Sequence, residues 1–449
     1  MKTRLLKKLP QLLILNSAFL TLLASCSIEK QIAKSAKADV MDAKALQTAH
    51  VGISIFDPAT NKYLYNYQGD KYFVPASNTK LPTCYAAMKY MGDSLVGLRY
   101  EYLDKSFLII ESTGDPSFLH SDFKNHPVFN FLKNSGTQQI ILSSFGWKEN
   151  SLGSGWSWND FLEPYMAERS SMPIYGNTVK FRYSGKNFTA MPKYFKVVND
   201  IVEGDIVTTY DSISNKYEIV RDFGRNNFSL EKSNRRIDNA ELTFTSNISI
   251  IAQLLKDTLG RSIISDVIRP DKIKAKIIHS QPTDSLLKPM MHRSDNFFAE
   301  QSLLMVSNEM LGVMNDEKII DTLLKTDFKD LPQKPRWVDG SGLSRYNLFT
   351  PQDFVAILNK MKNEFGMERI KVILPTGGEG TISSYYKVDS GYIYGKTGTL
   401  SGVVAFSGFL YTKKGKLLIF STLVNNHTAT ATEVRKAMEK FLEGIRNKY

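Results

Sequence analysis

The sequence predicts an α+β fold in which a domain of sheet and helices is interrupted by a β-rich insert. Three observations carry that expectation. Alternating apolar runs joined by turn residues near both ends of the chain spell antiparallel hairpins. Stretches with helical periodicity stand next to those hairpins. Between about residues 93 and 280, short β-branched and aromatic runs separated by Asn, Ser and Gly replace them. The chain has 449 residues, 42% hydrophobic and 23% charged. That excludes a disordered or collagenous chain and gives a prior of two or three domains. With 2 Cys there is no disulfide framework and no Cys-based zinc site. The 6 His form no H-E-x-x-H pattern, so neither cofactor nor metal is expected. The formal charge of +12 includes no basic block with interleaved aromatics, which argues against nucleic acid as a partner.

In chain order, Lys2, Arg4, Lys7 and Lys8 precede an apolar run from Leu12 to Leu23, too short and too interrupted for a membrane span. Leu23-Ala24-Ser25 stands directly before Cys26 and resembles the lipobox of bacterial lipoproteins, which implies a leader over 1–25 and lipid on Cys26. Residues 26–48, Lys- and Ala-rich over 27–45, read as a tether with room for some helix. Val51 to Phe56 and Tyr63 to Tyr67 form a hairpin about the turn Asp57-Pro58-Ala59-Thr60-Asn61. A helix is expected from about Pro75 to Met91, with Pro82 early in it. In the insert, Phe107 to Ile110, Gln139 to Leu142, Val179 to Tyr183 and Tyr217 to Val220 read as strands, and Ile248 to Leu259 as a helix. Helices return at Asn296 to Met310, Pro351 to Asn363 and Thr432 to Arg446. Tyr392 to Tyr394, Val403 to Tyr411 and Leu417 to Val424 are the last strands, the final pair joined by Lys413-Lys414-Gly415-Lys416. The expected domains are thus 49–92 with 281–449, and an insert over 93–280.

Nucleophilic chemistry is written in three short motifs. Ser77-Asn78-Thr79-Lys80 is an S-x-x-K, a weak signal alone because Ser27, Ser121, Ser229, Ser285 and Ser384 also precede a Lys by three. Ser294-Asp295-Asn296 and Lys396-Thr397-Gly398 follow in the order that penicillin-recognising enzymes use. On a helix, residues three apart share a face, so Lys80 reaches the Ser77 hydroxyl. That hydroxyl needs a base. A Lys serves only when burial or a second cation, here Lys396, disfavours its charged form. No G-x-S-x-G elbow is present.

These residues resemble the D-alanyl-D-alanine carboxypeptidase/endopeptidase family of the penicillin-binding protein 4 type. Further matches are Gly114-Asp115-Pro116-Ser117, Gly155-Trp156-Ser157-Trp158 with Tyr165, and Asn177. Ser294 to Glu300, Asp339 to Arg345, Lys396 to Gly402 and Val424-Asn425-Asn426 extend the likeness. Glu379-Gly380-Thr381-Ile382 resembles the family's D-G-T-L but lacks the Arg that often follows it, and Pro82 is unusual for its nucleophile helix. The resemblance implies a penicillin-binding-protein/β-lactamase-like domain, an antiparallel sheet flanked by helices. It implies Ser77 as acylated nucleophile, Lys80 as general base and Ser294 as proton relay. Asn296 would bind substrate amides, Lys396 and Thr397 the terminal carboxylate, and Thr399 the substrate backbone. The N–H groups of Ser77 and Thr399 would form the oxyanion hole. The implied partners are peptidoglycan stem peptides and, as acylating inhibitors, β-lactam antibiotics. The implied location is the exported, periplasmic bacterial envelope, with a membrane anchor at Cys26. A β-lactamase and a non-catalytic wall-binding lipoprotein share parts of this pattern. The long insert opposes the first, and the intact Ser77, Lys80, Asn296 and Lys396 oppose the second.

Asp339, Arg345 and Glu300 are expected to be structural, with Gly340 and Gly342 at positive φ. Trp156 and Trp158 are expected in the core, and Cys84 as a small buried apolar residue.

Overall fold

A computed structural model describes residues 28–183, 188–198, 200–203, 206–209, 217–234, 239–266 and 276–449. The leader over 1–25 and Cys26 lie outside the described residues. The chain divides into two compact units, each with its own core. One holds the chain up to Asn78 with Asp330–Arg336 and Asn347–Tyr449; the other holds Thr79–Lys329 and Trp337–Tyr346.

The first unit is built on a five-stranded antiparallel sheet. Its order is Ile393–Leu400, Val403–Tyr411, Leu417–Asn425, His50–Asp57, Lys62–Tyr67. The His50–Asp57 strand is buried on both faces, which accounts for its run of β-branched residues. Along one face Ile53, Ile55, Phe406, Phe420 and Val424 pack with Val434, Phe441 and Ile445 of the Ala431–Lys448 helix. On the other, Gly52 lies under Phe73 and Pro351, so that a Cβ there would clash with both. Thr350 and Thr430 start their helices with capping boxes, reciprocated by Asp353 and Glu433. The Pro351 helix extends past the expected Asn363 to Ile373, because Gly366 (φ 73°, ψ 157°) breaks the helical dihedrals and a second helical run follows.

The expected tether is a correction. Residues 28–36 are helical, continue as the π-helical turn Lys37–Met41, and dock onto this unit. Ile32, Ala36 and Val40, spaced by four, are buried with Leu46 in the same cluster as Phe441 and Ile445. An i, i+4 stripe is enough to seat a short helix, even in Lys- and Ala-rich sequence.

In the second unit a mixed five-stranded sheet runs Ser262–Asp266, Gln139–Ser143, Phe107–Glu111, Ser94–Tyr102, Lys276–Pro282. The first three strands are parallel and the rest antiparallel. Leu98, Ile110, Ile140 and Leu142 of this sheet share a core with Phe181, Phe228, Phe244 and Leu254. The helices Lys80–Tyr90, Thr283–His292 and Asn296–Leu311 pack together in this unit. The expected boundaries near 92 and 280 therefore do not coincide with the compact units, which part at Asn78. Lys80–Tyr90 is buried from Lys80 to Met88 and so belongs with the helices around it. Pro82 is the third residue of that helix, inside the first turn, where an N–H has no intrahelical partner to lose. Cys84 is fully buried in the same helix. Among the described residues no helix is long and apolar enough to cross a membrane.

Candidate active site

The sequence-predicted residues fall into two groups, one in each unit, with Ser77 and Lys80 on one continuous helical segment. A 3₁₀ turn, Ala76–Thr79, runs directly into the Lys80–Tyr90 helix.

Ser77 is half-buried at the start of that segment. Ala76 before it has φ 46°, a strained value for a residue with a Cβ. Two clamps hold the segment to the sheet. Asn425 accepts from the Val74 N–H (2.7 Å) and donates to the Val74 carbonyl (3.0 Å). Asn78 donates to Ser407 Oγ (2.8 Å), which in turn donates to Ser421 Oγ (2.8 Å). The Lys396 strand passes so close that a Cβ on Gly398 would stand 2.6 Å from the Pro75 carbonyl oxygen and 3.0 Å from Ser77 N. Glycine is thus required at the third position of K-T-G by close approach.

Ile393–Leu400 is an edge strand. The Gly395 N–H turns outward to the Pro375 carbonyl (3.2 Å), and the Tyr392 carbonyl turns inward to Tyr411 N (2.8 Å). Antiparallel pairing alternates these directions, so the N–H groups of Thr397 and Thr399 lie on the outer edge with that of Gly395. Thr399 Oγ1 accepts from Arg435 (2.5 Å), and Thr397 Oγ1 meets Thr381 Oγ1 at 2.7 Å. Lys396 is fully buried, and its Nζ donates to the Thr397 carbonyl (2.7 Å).

In the second unit Lys80 is fully buried, with Nζ donating to Asn296 Oδ1 (2.6 Å) and the Ser341 carbonyl (2.8 Å). Burial lowers its pKa to about 8, against the opposing pull of Asp339, Glu300 and Asp295. Desolvation is therefore the largest influence on this amine. Asn296 starts the helix Asn296–Leu311, capped by Asp295, which accepts from the Phe298 N–H (2.9 Å). Its amide donates to the Tyr165 carbonyl (2.9 Å). Ser294, two residues before Asn296, has φ 62°, a conformation favoured by glycine and retained here at a candidate relay.

The loop carrying Ser341 is held by buried carboxylates. Asp339 accepts from the N–H groups of Gly342 (2.8 Å) and Ser344 (2.7 Å) and from Trp156 Nε1 (3.0 Å). Glu300 accepts from the Ser341 N–H (2.7 Å) and pairs with Arg169 (3.4 Å). Arg169, fully buried, also meets Asp316 (2.6 Å) and Glu149 (3.2 Å) and lies over the Trp156 ring at 5.5 Å. Burial, with the Asp339 charge, raises Glu300 to about 7. Gly342 has the expected positive φ (82°). Gly340 does not; it is needed because a Cβ would stand 2.7 Å from the Ala299 carbonyl oxygen. Trp158, expected in the core, is 73% exposed. Asn177 is buried, accepts from the Ile174 N–H (3.1 Å) and donates to the Glu168 carbonyl (2.8 Å), a role within the fold.

Sequence reasoning missed Arg169, Ser407 and Arg435, and it quoted Ser341, Thr381 and Asn425 without a role. None carries a reactive signature in sequence; each acts by where the backbone puts it.

The model of the D-Ala-D-Ala carboxypeptidase 3 (S13) family matches residues 32–445. The chain is 23% identical over 458 residues to D-alanyl-D-alanine carboxypeptidase DacB of Haemophilus influenzae, covering 90% of this chain and 91% of that one. It is 25% identical over 446 residues to the D-alanyl-D-alanine carboxypeptidase of an Actinomadura species, covering 87% and 80%. Among solved structures its fold is similar to penicillin binding protein 4 from Haemophilus influenzae, with TM-score 0.71, 20% identity and coverage of 92% and 98%. The same relative complexed with a β-lactam gives TM-score 0.64 at 19% identity, with the same coverage.

Proposed function

This chain belongs to the D-Ala-D-Ala carboxypeptidase 3 (S13) family, and from that premise we propose that it cleaves peptidoglycan stem peptides through an acyl-enzyme on Ser77. It is a serine-type D-Ala-D-Ala carboxypeptidase of the penicillin-binding kind. The observation that carries the residue assignment is Lys80: a fully buried amine, lowered to about 8, three residues after a serine on one helical segment.

In this reading Lys80 takes the proton from Ser77 Oγ as that oxygen attacks the carbonyl between the two D-alanines. Negative charge on the tetrahedral oxygen is met by the N–H groups of Ser77 and Thr399, the second supported by the outward parity of the edge strand. Ser294 passes the proton to the departing D-alanine amine. Asn296 binds the substrate amide, and Lys396 with Thr397 binds the terminal carboxylate. The Ile393–Leu400 edge offers backbone pairing to an extended peptide. Water then hydrolyses the ester, with Lys80 again as base. Endopeptidase action on a D-Ala-diaminopimelate cross-link follows from the same chemistry. Lipid on Cys26 would hold the mature enzyme at a membrane of the bacterial envelope.

Intact-protein mass spectrometry after incubation with benzylpenicillin tests the assignment. The wild-type protein is expected to gain one stable adduct and Ser77→Ala none. An adduct that persists in Ser77→Ala removes Ser77 as nucleophile. Rapid drug hydrolysis with no lasting adduct would favour a β-lactamase.

A further inference from the structure

We propose that one end of the sheet-based unit, built from the Tyr411-to-Leu417 turn and the C-terminus of the Ala431–Lys448 helix, docks on an anionic lipid bilayer. The inference rests on the lipid-anchored reading above and deepens it.

The turn carries Lys413, Lys414 and Lys416, all exposed, with Lys387 and Lys448 exposed on neighbouring elements. It borders an open depression of about 420 Å³ that Lys371, Tyr392, Tyr411 and Arg446 also line. Arg446 locks these pieces together. Its guanidinium lies 3.8 Å from the Tyr392 ring centroid, and its Nε donates to Asp389 (2.6 Å). Its Nη1 donates to the Tyr411 carbonyl (2.9 Å), while its own carbonyl accepts from Lys413 N (2.9 Å). Of the nearby carboxylates Asp389 pairs with Arg446 and Glu368 with Lys371 (3.0 Å), Glu439 accepts from the Tyr386 N–H (2.6 Å), and Glu443 lies by Glu439 and Asp389. The turn itself holds three lysines and no acidic residue, so it presents positive charge locally. On the neighbouring 387–392 segment Val388 is 84% exposed and Tyr392 47% exposed. Exposed apolar groups with lysines on the same and adjoining elements match the chemistry of a lipid headgroup layer.

The chain itself reaches this end. The 28–36 helix and the turn after it run antiparallel to the C-terminal helix, with Ser35 Oγ accepting from Lys448 (3.1 Å) and Asp39 paired with Lys440 (3.0 Å). At 1.5 Å per residue, Ile28 lies about 10 Å beyond Ser35, past the last turn of that helix. Cys26 precedes it by two residues, so acyl chains there would enter a bilayer beside the lysine turn. Stable anchoring by acyl chains commonly uses a basic surface as a second signal.

Hydrogen exchange of the full chain, measured by mass spectrometry in nanodiscs containing phosphatidylglycerol and in nanodiscs of phosphatidylcholine alone, tests the proposal. The expected result is several-fold slower exchange at 386–392 and 411–417 on the anionic discs only. Combined Lys413→Glu, Lys414→Glu and Lys416→Glu substitution should abolish that protection and leave benzylpenicillin acylation unchanged. Equal exchange on both discs, or protection that survives the charge reversal, overturns the proposal. The intact mass of the same sample reads lipid on Cys26 separately. A lipidated chain without protection sinks the docking face alone. Protection without lipid sinks the anchor and leaves the face standing.

Discussion

At the scale of single residues, the proposed role of Lys80 sets how acylation should respond to pH. Its amine is useful as a base only when neutral, and burial brings that transition to about 8. Acylation by benzylpenicillin should therefore rise with pH between roughly 6 and 9, with its midpoint near the lowered pKa. Asp339 and then Glu300 oppose the lowering, because carboxylate charge favours the ammonium. Glu300→Gln removes one of those charges while an amide oxygen can still accept from the Ser341 N–H. The rising limb should then move to lower pH, as stopped-flow acylation across a pH series would show. A limb that stays in place while the rate falls would mean that Glu300 only shapes the loop. Ser77, Lys80 and Asn296 were legible in sequence because their chemistry needs fixed residue types at fixed spacing. The part Ser341 plays was not, because it meets Lys80 through its carbonyl and any residue supplies a carbonyl.

At the scale of elements, close approach explains two glycines that motif reading leaves as letters. Gly398 lets the edge strand lie against the backbone of Pro75 and Ser77. A methyl there meets a carbonyl oxygen rather than a flexible side chain, so the strand or the turn carrying Ser77 must move. Gly398→Ala should cost about 1–3 kcal/mol of stability. It should also slow acylation by at least about tenfold, the equivalent of some 1.4 kcal/mol in the barrier. Thermal unfolding and acylation kinetics measured together check both; an acylation rate within twofold of wild type would contradict the placement. Gly340 looked like a positive-φ loop residue because its neighbour Gly342 is one; the helix backbone beneath it is invisible in sequence. Most of the strands and helices that were assigned from sequence match within a residue or two because periodicity and caps are local. The Ser94–Tyr102, Ser262–Asp266 and Lys276–Pro282 strands and the Pro127–Asn134, Thr283–His292 and Asp316–Lys325 helices were not assigned, and the strand expected at Tyr392 to Tyr394 runs on to Leu400. Extension of the Pro351 helix beyond Gly366 was not, since a glycine there reads as a stop.

At the scale of the whole chain, the reading of 26–48 as a tether and the placement of the domain boundaries depended on contacts that sequence does not display. A stretch of Lys and Ala gains a fixed position only because Val434, Phe441 and Ile445 present an apolar face to Ile32, Ala36 and Val40. Ile32→Ala should lower the stability of this unit by about 3 kcal/mol, within the range for a buried isoleucine. Chemical denaturation should show this, and an unchanged midpoint would mean that the helix is not seated as described. The parting of the units at Asn78 is equally hidden, because Lys80–Tyr90 follows Ser77 without a break in pattern.

Cys84, fully buried in that helix, has a consequence for how the protein can be watched. An alkylating reagent reaches its sulfur only when the surrounding helices part. The rate of carbamidomethylation at Cys84, read by peptide mapping apart from Cys26, is thus a clock for spontaneous opening of the second unit, and one that needs no engineered cysteine.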